Sequence, residues 1–259
     1  MPSIPGAVKS LKLGKTDPVS DPKTLKLADY VNTALTPTIP ANYQYGQVFG
    51  TNEWGMMYND KINICTCAAA GHLIMGWTSA NGQKVVPADD AIVKAYADVS
   101  GYNPATGAGD VGTGAKNVLN YWRKTGIAGH KILAYAAVDE LNEDQVKQAV
   151  YLYGGCYVGL SLPLSAQQQN VWDVLQPGAA GNSTKGSWGG HVVAVIGYDA
   201  NGLTVVTWGA TKVMTWAFWK AYTDETYAII SLDFLSDKKA PNGFDLNALK
   251  SDLNSIAGS

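Results

Sequence analysis

Two stretches more than a hundred residues apart carry side chains whose types and spacing suit nucleophilic chemistry. The first runs Asn59-Asp60-Lys61-Ile62-Asn63-Ile64-Cys65-Thr66-Cys67-Ala68-Ala69-Ala70-Gly71-His72. A polar run ends at Cys65, and an apolar one with Leu73, Ile74, Met75 and Trp77 follows, which reads as a loop feeding directly into a buried helix. A thiol at such a junction faces unpaired backbone N–H groups and the positive end of the helix dipole, and both favour the nucleophilic thiolate. The amide of Asn59, six positions upstream, is placed to donate to an oxyanion. The second stretch, Gly189-Gly190-His191-Val192-Val193-Ala194-Val195-Ile196-Gly197-Tyr198-Asp199, opens an apolar strand on an imidazole. Cys65, His191 and Asn59 therefore supply a nucleophile, a base and an oxyanion donor. The competing reading is structural, with Cys65 packed as a small hydrophobe and His191 a hydrogen-bonded strand end. Of the other histidines, His72 falls about 10 Å along the helix from Cys65, and His130 sits in a polar turn where solvation is expected.

The elements that must position these groups follow from periodicity and turn chemistry. Residues 1–50, rich in Pro, Lys, Thr and Asp, read as an arm lying against a body. The buried helix runs from Cys65 to about Thr78 and stops before Asn81-Gly82. A second helix is expected over Ala88 to Val99 with Ile92, Tyr96 and Val99 on its apolar face, and a third over Ala115 to Lys124 burying Val118, Leu119 and Trp122. The glycine-rich loop between them, through Gly112, lacks the following Lys-Ser/Thr of a phosphate-cradling motif. Lys131–Val138 alternates as a strand, and Asn142-Glu143-Asp144-Gln145 is a capping box opening a helix that stops at Gly154-Gly155. Cys156–Leu162 is a strand ended by Pro163. Residues 163–190 form a long loop with one helical turn near Ala166–Trp172. The His191 strand pairs through Ala200-Asn201-Gly202 with Leu203–Trp208 as a hairpin. Thr215–Tyr222 is an aromatic segment, Tyr227–Ser231 a last strand, and 236–259 a polar tail with a weak helix at Leu246–Ile256. Helices come first and strands after, which predicts an α+β chain of two lobes.

Composition narrows the function classes. The 259 residues carry a formal net charge of −2, with Arg123 the single arginine, and no basic patch interleaves with aromatics, so no nucleic-acid partner is expected. The first twenty residues contain no apolar core of a secretory signal, and no stretch is long enough to span a bilayer. The expectation is no membrane partner, and a chain that is cytoplasmic or released without a classical signal. Three cysteines, Cys65, Cys67 and Cys156, do not make a disulfide framework, although a Cys67–Cys156 bridge stays open. Cys65-x-Cys67 with His72 is a poor match to zinc spacing, so neither metal nor cofactor is expected.

The sequence resembles the papain-like cysteine peptidases, as a divergent bacterial or phage-type member, over roughly residues 50–232. Gly189–Asp199 is similar to that family's histidine strand, His-Ala-Val-x-x-Val-Gly-Tyr. Val205-Val206-Thr207-Trp208-Gly209 is similar to the following strand, which ends Asn-Ser-Trp-Gly, and Lys147–Leu160 also matches. The resemblance implies a papain-like two-lobe α+β fold. Its catalytic domain would span 51–235, with a helical lobe at about 55–126, a β-rich lobe at about 127–235 and the cleft between them. It implies hydrolysis of peptide or amide bonds through a Cys65 thioester, with His191 as base and a peptide or protein as substrate. Cys65 is preferred to Cys67 because only that register places an amide, Asn59, at the family's spacing, where Cys67 would place Lys61. Asn59 stands for the family's glutamine, one carbon shorter. The family's orienting asparagine has no identical partner. Thr207 lies at the matching distance from His191, whereas alignment on Trp208 places Val206 there and leaves a dyad. Trp208 resembles the tryptophan that shields this contact from water, with core packing as its other reading. Gly112, by loop position, is expected to offer backbone hydrogen bonds to an extended substrate. The altered motif residues keep two alternatives open: a catalytically inactive papain-like binding module, and an acyl transferase of the same fold.

Overall fold

A computed structural model describes residues 11–19, 21–139, 141–235 and 243–257. Helix α1 (Cys65–Ala80) is buried on every side from Cys65 to Thr78. A helix apolar around its whole circumference has no solvent face to offer and must be enclosed. Its enclosure comes from α2 (Asp89–Ser100) and α3 (Ala115–Lys124) on one side and from strand β4 (Gly189–Tyr198) on the other. Small residues let neighbours close in: a Cβ on Gly71 would meet the Met57 side chain at 3.0 Å or less. Helix α2 ends at Gly101, whose φ of 79° is the left-handed cap that glycine adopts without strain.

The sheet is antiparallel throughout. It is ordered β2-β7-β3-β4-β5-β6, built from β2 (Ile132–Ala137), β3 (Cys156–Leu162), β4, β5 (Gly202–Thr207), β6 (Ala210–Thr215) and β7 (Thr223–Ser231), and β1 (Tyr43–Gln44) also pairs with β4. Strand β4 is central, and its register opposite β3 sets Leu160 against His191 and Gly159 against Val192. Helix α4 (Glu143–Tyr153) packs on β7 and β4, and α6 (Leu246–Ala257) on β2. At the start of α4 the Asn142 side chain accepts from the Gln145 N–H at 3.1 Å. The return half of the expected box goes elsewhere: Gln145 Oε1 accepts from the Asp139 N–H at 3.1 Å.

Several elements differ from the sequence reading. The aromatic segment is the helix α5 (Trp216–Tyr222), capped by Thr215 through its hydroxyl and the Phe218 N–H. The edge strand β6 precedes it and extends the hairpin to a third strand. The helical turn in the long loop falls at Leu164–Gln168. The three cysteines are free, so the Cys67–Cys156 bridge is absent. Among the described residues no helix is long and apolar enough to cross a membrane.

Candidate active site

Cys65 is the first residue of α1, after the uncapped Ile64. Its sulfur accepts from the Val192 backbone N–H, which places the thiol one residue from His191 on β4. Here α1 meets the sheet, and the site is built at that seam. His191 is fully buried. Its Nε2 lies 2.7 Å from Thr207 Oγ1, at the end of β5, and the Trp208 indole stacks on the imidazole with centroids 4.2 Å apart and planes 14° from parallel. Trp208 reaches that place from a left-handed backbone, φ 44°, just past the end of β5. Trp188 stacks on its outer side at 5.4 Å. The imidazole is thus closed off by an aromatic lid two rings deep.

Asn59 is buried in the loop before α1, after Met57 and Tyr58, which both have positive φ. Its Nδ2 donates to the Lys12 carbonyl oxygen at 3.2 Å. Trp208 Nε1 donates to the same oxygen at 2.8 Å. Two N–H donors from opposite sides of the cleft therefore converge on one peptide carbonyl.

That carbonyl belongs to the chain's own N-terminal arm, which runs through the site. The Lys12 N–H donates to the Asn59 carbonyl at 3.1 Å, and the N–H groups of Gly14 and Lys15 donate to the Gly190 carbonyl at 3.2 and 3.1 Å. The Thr113 N–H donates to the Gly14 carbonyl at 2.9 Å, and the Thr16 N–H donates to the Thr113 carbonyl at 3.2 Å, so Lys15 and Thr113 form a parallel bridge. These bonds come from Thr113 rather than from Gly112, whose own N–H donates to Tyr96 Oη at 2.9 Å. What Gly112 supplies is room, since a Cβ there would collide with the Gly14 carbonyl. Gly190 does the same on the other wall, where a Cβ would collide with the Lys15 carbonyl. Glycines at both walls let a peptide backbone approach closely.

Burial overrides the electrostatics expected for the thiol. The helix-start position was read as favouring thiolate, yet burial pushes the Cys65 thiol up to about 12, offset only partly by the Val192 N–H and by the charge and N–H of Lys15. Burial disfavours the charged form, and here it outweighs the helix terminus. The same cause, with His72 second, lowers His191 to about 3. With the arm in place the two groups are a neutral thiol and a neutral imidazole, and His191 Nδ1 has no hydrogen-bond partner.

The remaining sequence candidates lie outside this cluster. Cys67 is buried, its thiol raised by desolvation. His72 Nε2 pairs with the Gly55 carbonyl at 2.9 Å, and burial lowers its pKa to about 4. His130, expected to be solvated, instead places Nδ1 2.9 Å from Asp233 Oδ2. Among the described residues no group of three or more His, Cys, Asp or Glu is placed to hold a metal ion. Lys15, Asp224 and Glu225, which form an ion-pair cluster where the arm crosses the site, escaped the sequence reading. Their contact joins opposite ends of the chain, and no local pattern signals it.

No protein-family model matches this chain, and no curated protein does. Solved structures do. Xylellain, a cysteine protease from Xylella fastidiosa, matches with a TM-score of 0.61 at 14% identity, over 88% of this chain and 99% of that one. Procathepsin L 3 of the Tenebrio molitor larval midgut matches with a TM-score of 0.55 at 12% identity, over 86% of this chain and 77% of that one. The proCathepsin B S9 of Trypanosoma congolense matches at 0.55 and 10%, over 86% of this chain and 87% of that one. The chain has the papain-like α+β fold.

Proposed function

We propose that this chain is a thiol hydrolase that cleaves peptide or amide bonds through a thioester on Cys65. The observation that carries the reading is the arm itself. An extended peptide lies across the thiol, glycines at both walls admit its backbone, and one of its carbonyl oxygens is held by the Asn59 amide and the Trp208 indole N–H. This arrangement supports a cleft that takes a polypeptide beside a cysteine, and xylellain, which shares the fold, is named a cysteine protease.

Once the arm has left, the chemistry would run as follows. His191 takes the Cys65 proton at Nδ1, the nitrogen with no other partner, while Nε2 stays with Thr207. The sulfur attacks the substrate carbonyl carbon, and the carbon–oxygen double bond opens to an oxyanion. Asn59 Nδ2 and the N–H groups of the first turn of α1, which have no partner inside the helix, are the donors available to it. Collapse breaks the C–N bond, and the leaving amine takes the proton from the imidazolium. Water, deprotonated by the same Nδ1, then attacks the thioester, releasing the acid and restoring the thiol. Thr207 orients the ring and carries no proton through the cycle.

One observation favours the non-catalytic reading. The buried thiol and the imidazole share no hydrogen bond, and a threonine stands at the orienting position. The test is to incubate the full chain, and its Lys15→Glu variant with a loosened arm, with an unfolded protein and map fragments by mass spectrometry. Cleavage that disappears in Cys65→Ala supports hydrolysis. If neither protein cleaves while iodoacetamide labels Cys65 in the loosened variant, the chain is a binding module.

A further inference from the structure

The arm makes backbone hydrogen bonds that any residue would make, with one exception. The Lys15 side chain is fully buried, and its Nζ lies 3.0 Å from Asp224 Oδ2 and 3.4 Å from Glu225 Oε1, at the start of β7. It also donates to the Thr16 carbonyl at 3.1 Å. Holding an arm down does not require this. Burying an ammonium and carboxylates costs several kcal/mol per ion before pairing, and a well-packed apolar residue does as well or better.

The carboxyl groups are also held in place without the lysine. Ser161 Oγ donates to Asp224 Oδ2 at 2.7 Å, and Tyr227 Oη donates to Glu225 Oε2 at 3.0 Å. Of the other two oxygens, Glu225 Oε1 faces Lys15 Nζ as an ion pair without a closer hydrogen bond, and Asp224 Oδ1 is buried with no hydrogen-bond partner. Glu225 is itself more than nine-tenths buried, and desolvation raises its pKa against the pull of Lys15. Gly159, opposite Glu225 in the sheet, leaves the space the lysine stem fills, since a Cβ there would lie 2.9 Å from Lys15 Cε. The pocket offers more acceptor capacity than one ammonium uses, and its occupant Lys15 lies at the site: its N–H donates to the Gly190 carbonyl, next to His191, and its charge acts on the Cys65 thiol. A guanidinium, with five donors in a planar fork, would use that spare capacity. An apolar side chain would leave both carboxyl groups buried without a counter-charge, which is how such a pocket rejects it.

We infer that Asp224 and Glu225 form the specificity pocket of this site, selecting a lysine or arginine side chain on the peptide substrate, and that Lys15 occupies it as the arm's surrogate for that side chain. The inference rests on the hydrolase reading for its substrate, but the pocket can be tested without turnover.

The first experiment uses the arm as the ligand in the full chain. Iodoacetamide labelling of Cys65 is timed in the wild type and in Lys15→Arg and Lys15→Met, each also in an Asp224→Asn/Glu225→Gln background. Cation selection predicts that Lys15→Arg labels within about threefold of the wild type and that Lys15→Met labels at least tenfold faster. It predicts that the difference between Lys and Met disappears in the amide background. Equal rates for Lys and Met with the acids intact overturn the inference. The second experiment maps cleavage of a peptide library by the Lys15→Glu variant. Enrichment of Lys or Arg at one fixed position beside the cut, lost in Asp224→Asn/Glu225→Gln, supports it. Cleavage without that bias overturns the substrate assignment. Absence of any cleavage overturns the hydrolase reading instead, and the labelling series then decides the pocket alone.

Discussion

His191 Nε2 and Thr207 Oγ1 lie 2.7 Å apart beneath the Trp208 indole. A hydroxyl both donates and accepts, so this contact orients the ring without dictating which nitrogen carries the proton. A side-chain amide oxygen at that place would only accept, and would hold the proton on Nε2. The consequence is a loosely specified tautomer, which predicts a modest role for the threonine. Thr207→Val keeps the shape, removes the hydroxyl and should cost about 1 kcal/mol, a fall in turnover somewhat under tenfold. Thr207→Asn, if it packs, should equal or exceed the wild type. Steady-state rates on a cleaved peptide check both, and an unchanged rate in Thr207→Val removes the orienting role.

Trp208 serves two groups at once, covering His191 with its ring and holding the Lys12 carbonyl with its Nε1. Trp208→Phe keeps most of the cover and loses the donor, so it should loosen the arm and speed alkylation of Cys65 with little change in the imidazole. Trp208→Ala loses both. Water then reaches the ring, and the imidazole pKa should rise from about 3 toward the ordinary 6.5. NMR titration of His191 in the two variants distinguishes them. Identical titration curves would mean that the sheet, and not the indole, keeps the ring dry.

Much of the fold is legible in the sequence. A run apolar on every side can only be a buried helix, and α1 follows. Gly155 and Pro163 bound β3 on both sides, and the capping residue Asn142 marks the start of α4. Cys65, His191, Thr207 and Trp208 stood out because each lies in a short motif with its neighbours. The strand β6 was hidden by its polar, edge-strand composition, Thr211 and Lys212 included. Helix α5 was hidden because aromatic residues give little helical signal until the Thr215 cap is recognised. The thiol was misread for a different reason. Its local position favours the anion, but burial in the folded chain outweighs that position, even against the favourable charge of Lys15 fifty residues upstream. The Lys15 pocket was beyond reach because a tertiary ion pair leaves no periodic trace.

Two buried histidines set the acid limit of the fold. Burial lowers His191 to about 3 and His72 to about 4, against 6.5 for the ordinary group. Below pH 6.5 the unfolded chain binds protons that the native one refuses, so the stability these neutral rings carry is present above 6.5 and drains as pH falls toward 4 and then 3. The midpoint of urea unfolding should therefore fall steadily from pH 7 to pH 4. In His72→Gln the slope should be shallower over that range, since one of the two rings is gone. A slope unchanged in His72→Gln would assign the loss to carboxyl groups instead.

Release of the arm should move the thiol in the direction opposite to its burial. In the closed state desolvation holds Cys65 at about 12, where thiolate is scarce at neutral pH. Lys15→Glu sets a third carboxyl group against Asp224 and Glu225, and repulsion should drive the arm out. Water then reaches the sulfur, the desolvation penalty falls, and the helix terminus and the Val192 N–H remain to favour the anion. Nδ1 of His191, which has no other partner, is then the group able to take the proton. The alkylation rate of Cys65 plotted against pH should thus shift its midpoint down by at least two units in Lys15→Glu, and the rate at pH 7 should rise at least tenfold. His191→Ala in the same background should push the midpoint back up, because a thiolate loses its imidazolium partner. A midpoint that stays near 12 after the arm has been displaced would show that the body of the protein buries the thiol by itself. In that case Cys65 is a packed core residue and not a nucleophile.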